Sequence, residues 1–95
     1  MEHGYSVHVY YDGFDPSLDE AIRKRIPDSD GSGYAYEDKD RDISWSVNTR
    51  GDVDKLYNIL FAEFPALTRM QVFVWENGRI VDRENHLPPV RELTV

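Results

Sequence analysis

The segment Arg69–Arg83, RMQVFVWENGRIVDR, constrains the fold of this chain most strongly, because it predicts a β-hairpin. Asn77 and Gly78 lie between alternating apolar residues, and both central positions of a type I′ turn require a positive φ angle. A two-residue loop also fixes the register, because opposing residues are then found by counting outward from the turn. The predicted pairs are Glu76 with Arg79, Trp75 with Ile80, Val74 with Val81 and Phe73 with Asp82.

Both faces of this predicted hairpin carry apolar side chains. Because successive side chains of a strand point to opposite faces, one face holds Met70, Val72, Val74 and Val81. The other face holds Gln71, Phe73, Trp75 and Ile80. The hairpin therefore predicts a sheet that packs on helices with one face and needs a cover on the other.

Length and composition indicate one domain over residues 1–95. The 95 residues suffice for a single modest core, and the absence of cysteine excludes disulfides, thiolate metal sites and cysteine nucleophiles. No apolar run approaches the roughly 20 residues of a membrane span. The first residues, MEHGYSVHVYYDG, lack the basic start and apolar centre of a signal peptide. We therefore expect a soluble, cytoplasmic protein.

The remaining patterns predict two helices and three further strands. Asp15 can cap the first helix ahead of Pro16, and Thr49 or Asp52 can cap the second. On the first helix, Asp19 and Arg23 form an i,i+4 pair that we expect on the outward face. The predicted elements are a strand at Tyr5–Tyr11, a helix ending at Pro27, strands at Tyr34–Glu37 and Asp42–Asn48, a helix at Asp52–Phe64, the hairpin, and a C-terminal tail at Glu84–Val95.

This order of elements predicts an α+β fold with two helices packed on one face of an antiparallel sheet. It is the ferredoxin-like βαββαβ plan with an added C-terminal β-hairpin strand, in the predicted order 5-4-1-3-2. Closing the loop at Asp38–Arg41 symmetrically places Tyr36 opposite Ile43 and Tyr34 opposite Trp45. The predicted helix-facing core is Val7, Val9, Tyr34, Tyr36, Ile43, Trp45, Val47, Met70, Val72, Val74 and Val81.

The opposite face of the predicted sheet carries a contiguous apolar patch. Its members are His8, Tyr10, Gln71, Phe73, Trp75 and Ile80. Patches of this kind mark interaction sites when they are left in water, so we expect something to cover this one. Three covers are open: the tail at Glu84–Val95 through Leu87, Val90, Leu93 and Val95, a homodimer through the sheet face, or a different protein partner.

Acidic residues form the second conspicuous feature, in a chain whose net charge is -7. They are Asp28 and Asp30 in one loop, and Glu37, Asp38, Asp40 and Asp42 around the next turn. Charge on an edge strand commonly prevents edge-to-edge pairing, which is the structural interpretation. The functional interpretation is steering towards a basic partner. The same charge argues against direct nucleic-acid or membrane binding.

The sequence contains no complete motif for catalysis or for binding a metal or a cofactor. Asp28, Asp30 and Glu37 fit part of a calcium-binding EF-hand loop, but its first position is Ile26, which supplies no carboxylate. His3, His8 and His86 have no metal-ligand spacing. No nucleophile elbow, phosphate-binding loop or dinucleotide fingerprint occurs, so we expect no enzyme activity, cofactor or metal.

An RNA-binding domain shares this strand order and stacks bases on sheet aromatics. Its characteristic third-strand motif is missing from the segment DISWSVN, and the acidic balance opposes phosphate binding.

The sequence thus favours a small acidic, non-catalytic domain that binds another protein. The expected binding residues are Tyr10, Phe73, Trp75, Ile80, Asp38, Asp40 and Asp42. One specific version is an immunity protein or a phage-encoded inhibitor of a basic, nucleic-acid-binding protein. The alternative is a small-ligand-binding or enzymatic ferredoxin-like domain, and RNA binding ranks below both.

Overall fold

The computed structural model describes residues 3–35 and 40–89 of the chain. Each of the seven elements expected from the sequence is present, with bounds that differ by a few residues. The elements are β1 (His3–Asp12), α1 (Pro16–Arg25), β2 (Gly31–Ala35), β3 (Asp40–Val47), α2 (Arg50–Glu63), β4 (Leu67–Glu76) and β5 (Arg79–His86). Neither of the two described helices is long and apolar enough to cross a membrane.

The strands form one sheet in the order β2-β3-β1-β4-β5, and every neighbouring pair is antiparallel. Ile22 of α1 and Leu60 of α2 belong to the same buried cluster as Val7 and Val9 of the central strand β1. Both helices therefore cover the same face of the sheet. The prediction of an α+β fold with two helices on an antiparallel sheet is confirmed.

The core lies between this sheet face and the helices. Among the predicted strand residues, Val7, Val9, Ile43, Trp45, Met70 and Val72 are buried. Val47 packs against the cluster while partly exposed, and Val74 is only half-buried. Val81 is 50% exposed, so its assignment to the core was wrong. The side chains of Tyr34 and Tyr36 lie outside the described part of the structure.

Asp15 caps α1 as predicted, because its side chain accepts hydrogen bonds from the backbone N–H groups of Ser17 and Leu18. The expected outward position of Asp19 was wrong. Asp19 is buried, and both of its carboxylate oxygens accept hydrogen bonds from Arg41 of β3, at 2.8 and 3.1 Å. This buried pair links α1 to the sheet.

The β4–β5 hairpin begins as predicted and then departs from the counted register. Asn77 and Gly78 have φ angles of 52° and 77°, which a type I′ turn requires. The two pairs next to the turn are as predicted, but a β-bulge follows between Val74 and Trp75. Beyond the bulge Val74 pairs with Asp82 and Phe73 with Arg83. Val81 is the extra residue on β5, which explains its exposure.

The predicted register between β2 and β3 was also wrong. Tyr34 pairs with Arg41 rather than Trp45, and Ser32 takes the place opposite Ile43 that was expected for Tyr36. The partners are displaced by four residues along β3. The observed and the expected partners on β3 lie on the same face of that strand, because side chains alternate with a period of two and the displacement is even.

The expected tail from Glu84 was wrong at its start, since Glu84–His86 complete β5. Beyond the bulge, Glu84 faces the helices and accepts hydrogen bonds from both terminal nitrogens of Arg50, at 2.7 and 2.6 Å. His86 contacts Glu84 at 3.1 Å and lies edge-on to the ring of Tyr57, with 5.9 Å between ring centroids. These contacts fasten the end of β5 to α2.

The pair between Arg50 and Glu84 gives an expected pH dependence. Hydrogen bonds from Arg50 lower the pKa of Glu84 from 4.5 to about 2. Because the folded-state pKa lies below the unfolded one, this contribution to stability is complete above pH 4.5 and is lost as the pH falls towards 2. Glu84→Gln should flatten the dependence of the free energy of unfolding on pH in that window, measured by urea unfolding. Glu20→Gln, which removes an exposed pair with Lys24, should leave the slope unchanged.

Candidate protein-binding surface

The sheet face opposite the helices, called the open face below, gathers four residues predicted to bind a partner. Tyr10 on β1, Phe73 and Trp75 on β4, and Ile80 on β5 all project from it. Trp75 and Ile80 oppose each other and are 36% and 38% exposed. The ring of His8 stands edge-on to Phe73, with 5.1 Å between ring centroids. Together these side chains form a continuous apolar band across three strands.

Hydrogen bonds hold the polar parts of this band in place. The Tyr10 hydroxyl donates to Oε1 of Gln71 at 3.1 Å, and Nε2 of Gln71 donates to Oδ1 of Asn85 at 3.2 Å. The Trp75 indole N–H donates to Oγ of Ser6 at 2.9 Å. Burial raises the pKa of the Tyr10 phenol above 10.0, so the group stays a neutral donor near neutral pH. A preorganised surface of this kind loses little side-chain entropy when it binds.

Two of the three predicted acidic binding residues lie on the open face itself. Asp40 and Asp42 project from β3, which is the second strand from the edge. Asp42 contacts Nδ1 of His8 at 3.3 Å, and Asp40 lies 3.6 Å from a terminal nitrogen of Arg69. Asp38 lies outside the described residues.

Two arginines also project from the open face. The guanidinium of Arg69 stacks on Tyr10 at 3.7 Å from the ring centroid, and that of Arg83 lies 5.7 Å from the centroid of Phe73. Arg69 thus contacts both Tyr10 and the carboxylate of Asp40, whereas Arg83 lies on the β5 side of the aromatic band, away from the β3 carboxylates. Sequence reasoning missed both arginines, because their positions depend on strand pairing and on the β5 bulge.

Glycines make the β2 side of the face flat. Gly31 and Gly33 oppose Ser44 and Asp42 of β3, and a Cβ atom at Gly33 would stand 2.9 Å from Oδ1 of Asp42. A larger residue at position 33 would therefore push the carboxylate out of place. The sequence signal was the GSG segment, which composition alone assigns to a loop.

The described part of the tail does not cover the open face. The Tyr57 hydroxyl donates to the carbonyl oxygen of Leu87 at 2.8 Å, which holds this segment beside α2. Pro88 and Pro89 line a recess of about 270 Å³ with Phe61 and Pro65, on the helix side. Of the three covers left open by the sequence, the tail does not reach the sheet through Leu87, whose side chain is 71% exposed. Val90, Leu93 and Val95 lie outside the described residues.

A second recess, of about 300 Å³, opens beside Trp75 at one corner of the open face. Ser6, Ser46 and Asn48 supply polar groups to its wall, and Gly4 leaves room next to the indole. The recess offers a flat aromatic wall and several hydrogen-bonding groups to whatever occupies the face.

The described residues contain no cluster of three histidine, aspartate or glutamate side chains that could hold a metal ion. His8 is on the open face and His86 contacts α2, so these two imidazoles lie on opposite sides of the sheet. Asp30 accepts a hydrogen bond from the hydroxyl of Ser46.

Comparison with protein-family models, with curated proteins and with solved structures gave no match to this chain.

Proposed function

We propose that this chain is a small acidic, non-catalytic domain that binds another protein through its open face. The observation that carries the proposal is the exposure of Trp75 and Ile80 in a continuous band that no described residue covers. Tryptophan and tyrosine contribute a large share of the binding energy at protein interfaces, because they bury a large area and lose little conformational entropy. The hydrogen bonds beneath the band hold it ready for a partner.

The partner we propose is a basic protein. The net charge of -7 attracts a positively charged surface at long range, and Asp40 and Asp42 place two carboxylates beside the apolar band. An immunity protein or a phage-encoded inhibitor that occludes a nucleic-acid-binding surface fits this combination of small size, charge and exposed aromatics. Direct RNA binding is disfavoured, because β3 presents carboxylates where phosphates would approach.

We also infer that the fold is the ferredoxin-like plan with one strand added at the edge next to β4. The strand order β2-β3-β1-β4-β5 and the antiparallel pairing support it. The fold alone does not fix function, so the proposal depends on the open face.

A small-ligand-binding domain is the second candidate, and the recess beside Trp75 is the observation that favours it. A volume of about 300 Å³ lies at the lower limit of small-molecule sites. Native mass spectrometry of the purified protein tests this candidate, since a stoichiometric bound metabolite would support it.

The binding surface can be tested with face variants and a control variant. Trp75→Ala and Ile80→Ser should each lower the affinity for a captured partner at least about tenfold, because each removes an apolar contact from the centre of the proposed interface. Leu87→Ser is the matched control, since Leu87 is more exposed than either residue but lies off the face. The partner would be captured from extracts of the source cells, purified, and titrated by biolayer interferometry. Equal affinity for all four proteins would contradict the proposal.

A further inference from the structure

We propose that the open face of the free protein is covered by a second copy of the same chain, in a weak two-fold dimer that a partner displaces. The inference rests on the proposed function only in using the same surface. Three properties of the face carry it: the position of its charges, the position of its large side chains, and its area.

The carboxylate of Asp42 and the guanidinium of Arg83 occupy diagonally opposite corners of the face, and Arg69 lies in the corner of Asp42, paired with Asp40. Asp42 opposes Tyr10 of β1, whereas Arg83 lies beyond β4 at the level of Phe73, which opposes Ser6. Three strand spacings of ~4.8 Å and four residues of ~3.3 Å separate the two groups, so they are roughly 20 Å apart. They are too distant to pair with each other within one chain. Asp42 contacts His8 but keeps 28% of its side chain exposed, and Arg83 is exposed, so a second copy can reach both.

Large and small residues follow the same diagonal. Trp75 and Ile80 form the bulkiest corner, at the level of Gly4 on β1. Gly31 and Gly33 form a strip without side chains on β2, on the far side of the carboxylates. A protruding corner and a flat corner on one face are complementary to each other.

A two-fold axis in the plane of the interface, along the remaining diagonal, exchanges these corners. It brings Asp42 of each copy over Arg83 of the other, and it brings each Trp75 over the glycine strip of the other. The strands of the two sheets then cross at near right angles, which is one of the two arrangements that packed sheets adopt. Such an interface is isologous and closes as a dimer.

The area of the face predicts that this dimer is weak. Five strands at ~4.8 Å and six residues at ~3.3 Å give a patch of roughly 20 by 20 Å, or about 400 Å² per copy, against about 800 Å² per partner in a standard interface. An association of this size exchanges readily. The second copy therefore protects the aromatic band while leaving it accessible to a tighter partner.

Charge reversal tests this arrangement with the protein alone. Asp42→Arg places two arginine pairs in the dimer, and Arg83→Asp places two carboxylate pairs in it. Each variant should dimerise at least about tenfold more weakly than the wild type by sedimentation equilibrium. An equimolar mixture of the two variants should recover dimerisation, because both contacts of the mixed dimer again join opposite charges. Asp54→Arg makes the same charge change on α2 and should dimerise like the wild type.

The outcomes separate this inference from the proposed function. If the wild-type protein stays monomeric at the highest concentration reached, the dimer is ruled out. The affinities of the Trp75→Ala and Ile80→Ser variants for a partner still test the proposed function independently. The arrangement is also ruled out if both charge-reversal variants dimerise like the wild type, or if the equimolar mixture of Asp42→Arg and Arg83→Asp does not recover dimerisation. Near-ultraviolet circular dichroism checks that each variant is folded, and Arg83 is exposed, so its reversal preserves the core.

Discussion

Replacing Asp19 with alanine is expected to lower the free energy of unfolding by about 3–5 kcal/mol, because it leaves the guanidinium of Arg41 buried without its partner. Asp19 and Arg41 are 7% and 9% exposed, and the two hydrogen bonds between them are 2.8 and 3.1 Å long. The Tyr11 hydroxyl also contacts Asp19, at 3.3 Å. The variant therefore removes the central side chain of a polar cluster, formed with Tyr11 and Arg41, that joins α1 to β1 and β3.

Urea unfolding measures this loss, and Glu20→Ala is the matched control. Glu20 forms an exposed pair with Lys24 on the same helix, and removing it should cost no more than about 0.5 kcal/mol. The double variant Asp19→Leu with Arg41→Met should recover most of the stability, since apolar residues of similar volume replace both charges. A loss below about 1 kcal/mol for Asp19→Ala would mean that water reaches Arg41 and screens its charge.

The same pair should make the protein sensitive to acid. Hydrogen bonds from Arg41 lower the pKa of Asp19 below its ordinary value of 3.8. Its contribution to stability is therefore complete above that ordinary value and is lost as the pH falls through the lowered one. In the Asp19→Ala variant this part of the acid dependence should be absent, which unfolding experiments at pH 6 and pH 3 would detect.

The sequence pattern placed α1 correctly but not its rotation about its own axis. Asp19 forms an i,i+4 pair with Arg23, at 3.2 Å, and this pattern suggested an outward face. Yet Asp19 precedes Ile22 by three residues and Ile26 by seven, which is the spacing of the buried stripe. Ile22 is the one fully buried side chain of α1, so hydrophobic periodicity alone cannot decide whether Asp19 lies on the outward or on the buried face. The position of Arg41 decides it, and that position depends on a contact between distant segments.

The hairpin turn was predictable because its signal is local, whereas the bulge was not. Asn77 and Gly78 satisfy the turn by themselves, but no residue type marks the extra position on β5. The counted register opposed Phe73 with Asp82, whereas the bulge opposes it with Arg83. The bulge therefore changes the charge beside the aromatic band from negative to positive.

The apolar part of the candidate site followed from alternation along single strands, which the sequence shows directly. Tyr10, Phe73, Trp75 and Ile80 needed only the strand period and the turn. The contacts of Asp42 with His8 and of Arg69 with Tyr10 required the register of β1 against β3 and β4, which the predicted strand order does not give. This register aligns residues far apart in the chain, and composition carries no information about it.

Replacing Trp45 with alanine is expected to lower the free energy of unfolding by about 3–5 kcal/mol, because it removes a large buried ring from the core. Trp45 is 3% exposed, and its indole N–H donates to the carbonyl oxygen of Ile26 at 3.0 Å. The hydrogen bond fixes the end of α1 against β3, the strand that carries Asp42 on its other face. Trp45→Phe keeps most of the apolar contact but loses the donor, so it should cost about 1–3 kcal/mol.

Trp75→Ala is the informative comparison, because the two tryptophans lie on opposite faces of the sheet. Trp75 is 36% exposed, so its replacement should cost less than about 1 kcal/mol of stability while weakening partner binding. Urea unfolding of both alanine variants measures the difference. If Trp75→Ala destabilised the protein as much as Trp45→Ala, the indole of Trp75 would belong to a second core. The open face would then be closed within the chain, and neither a partner nor a second copy would have a surface to bind.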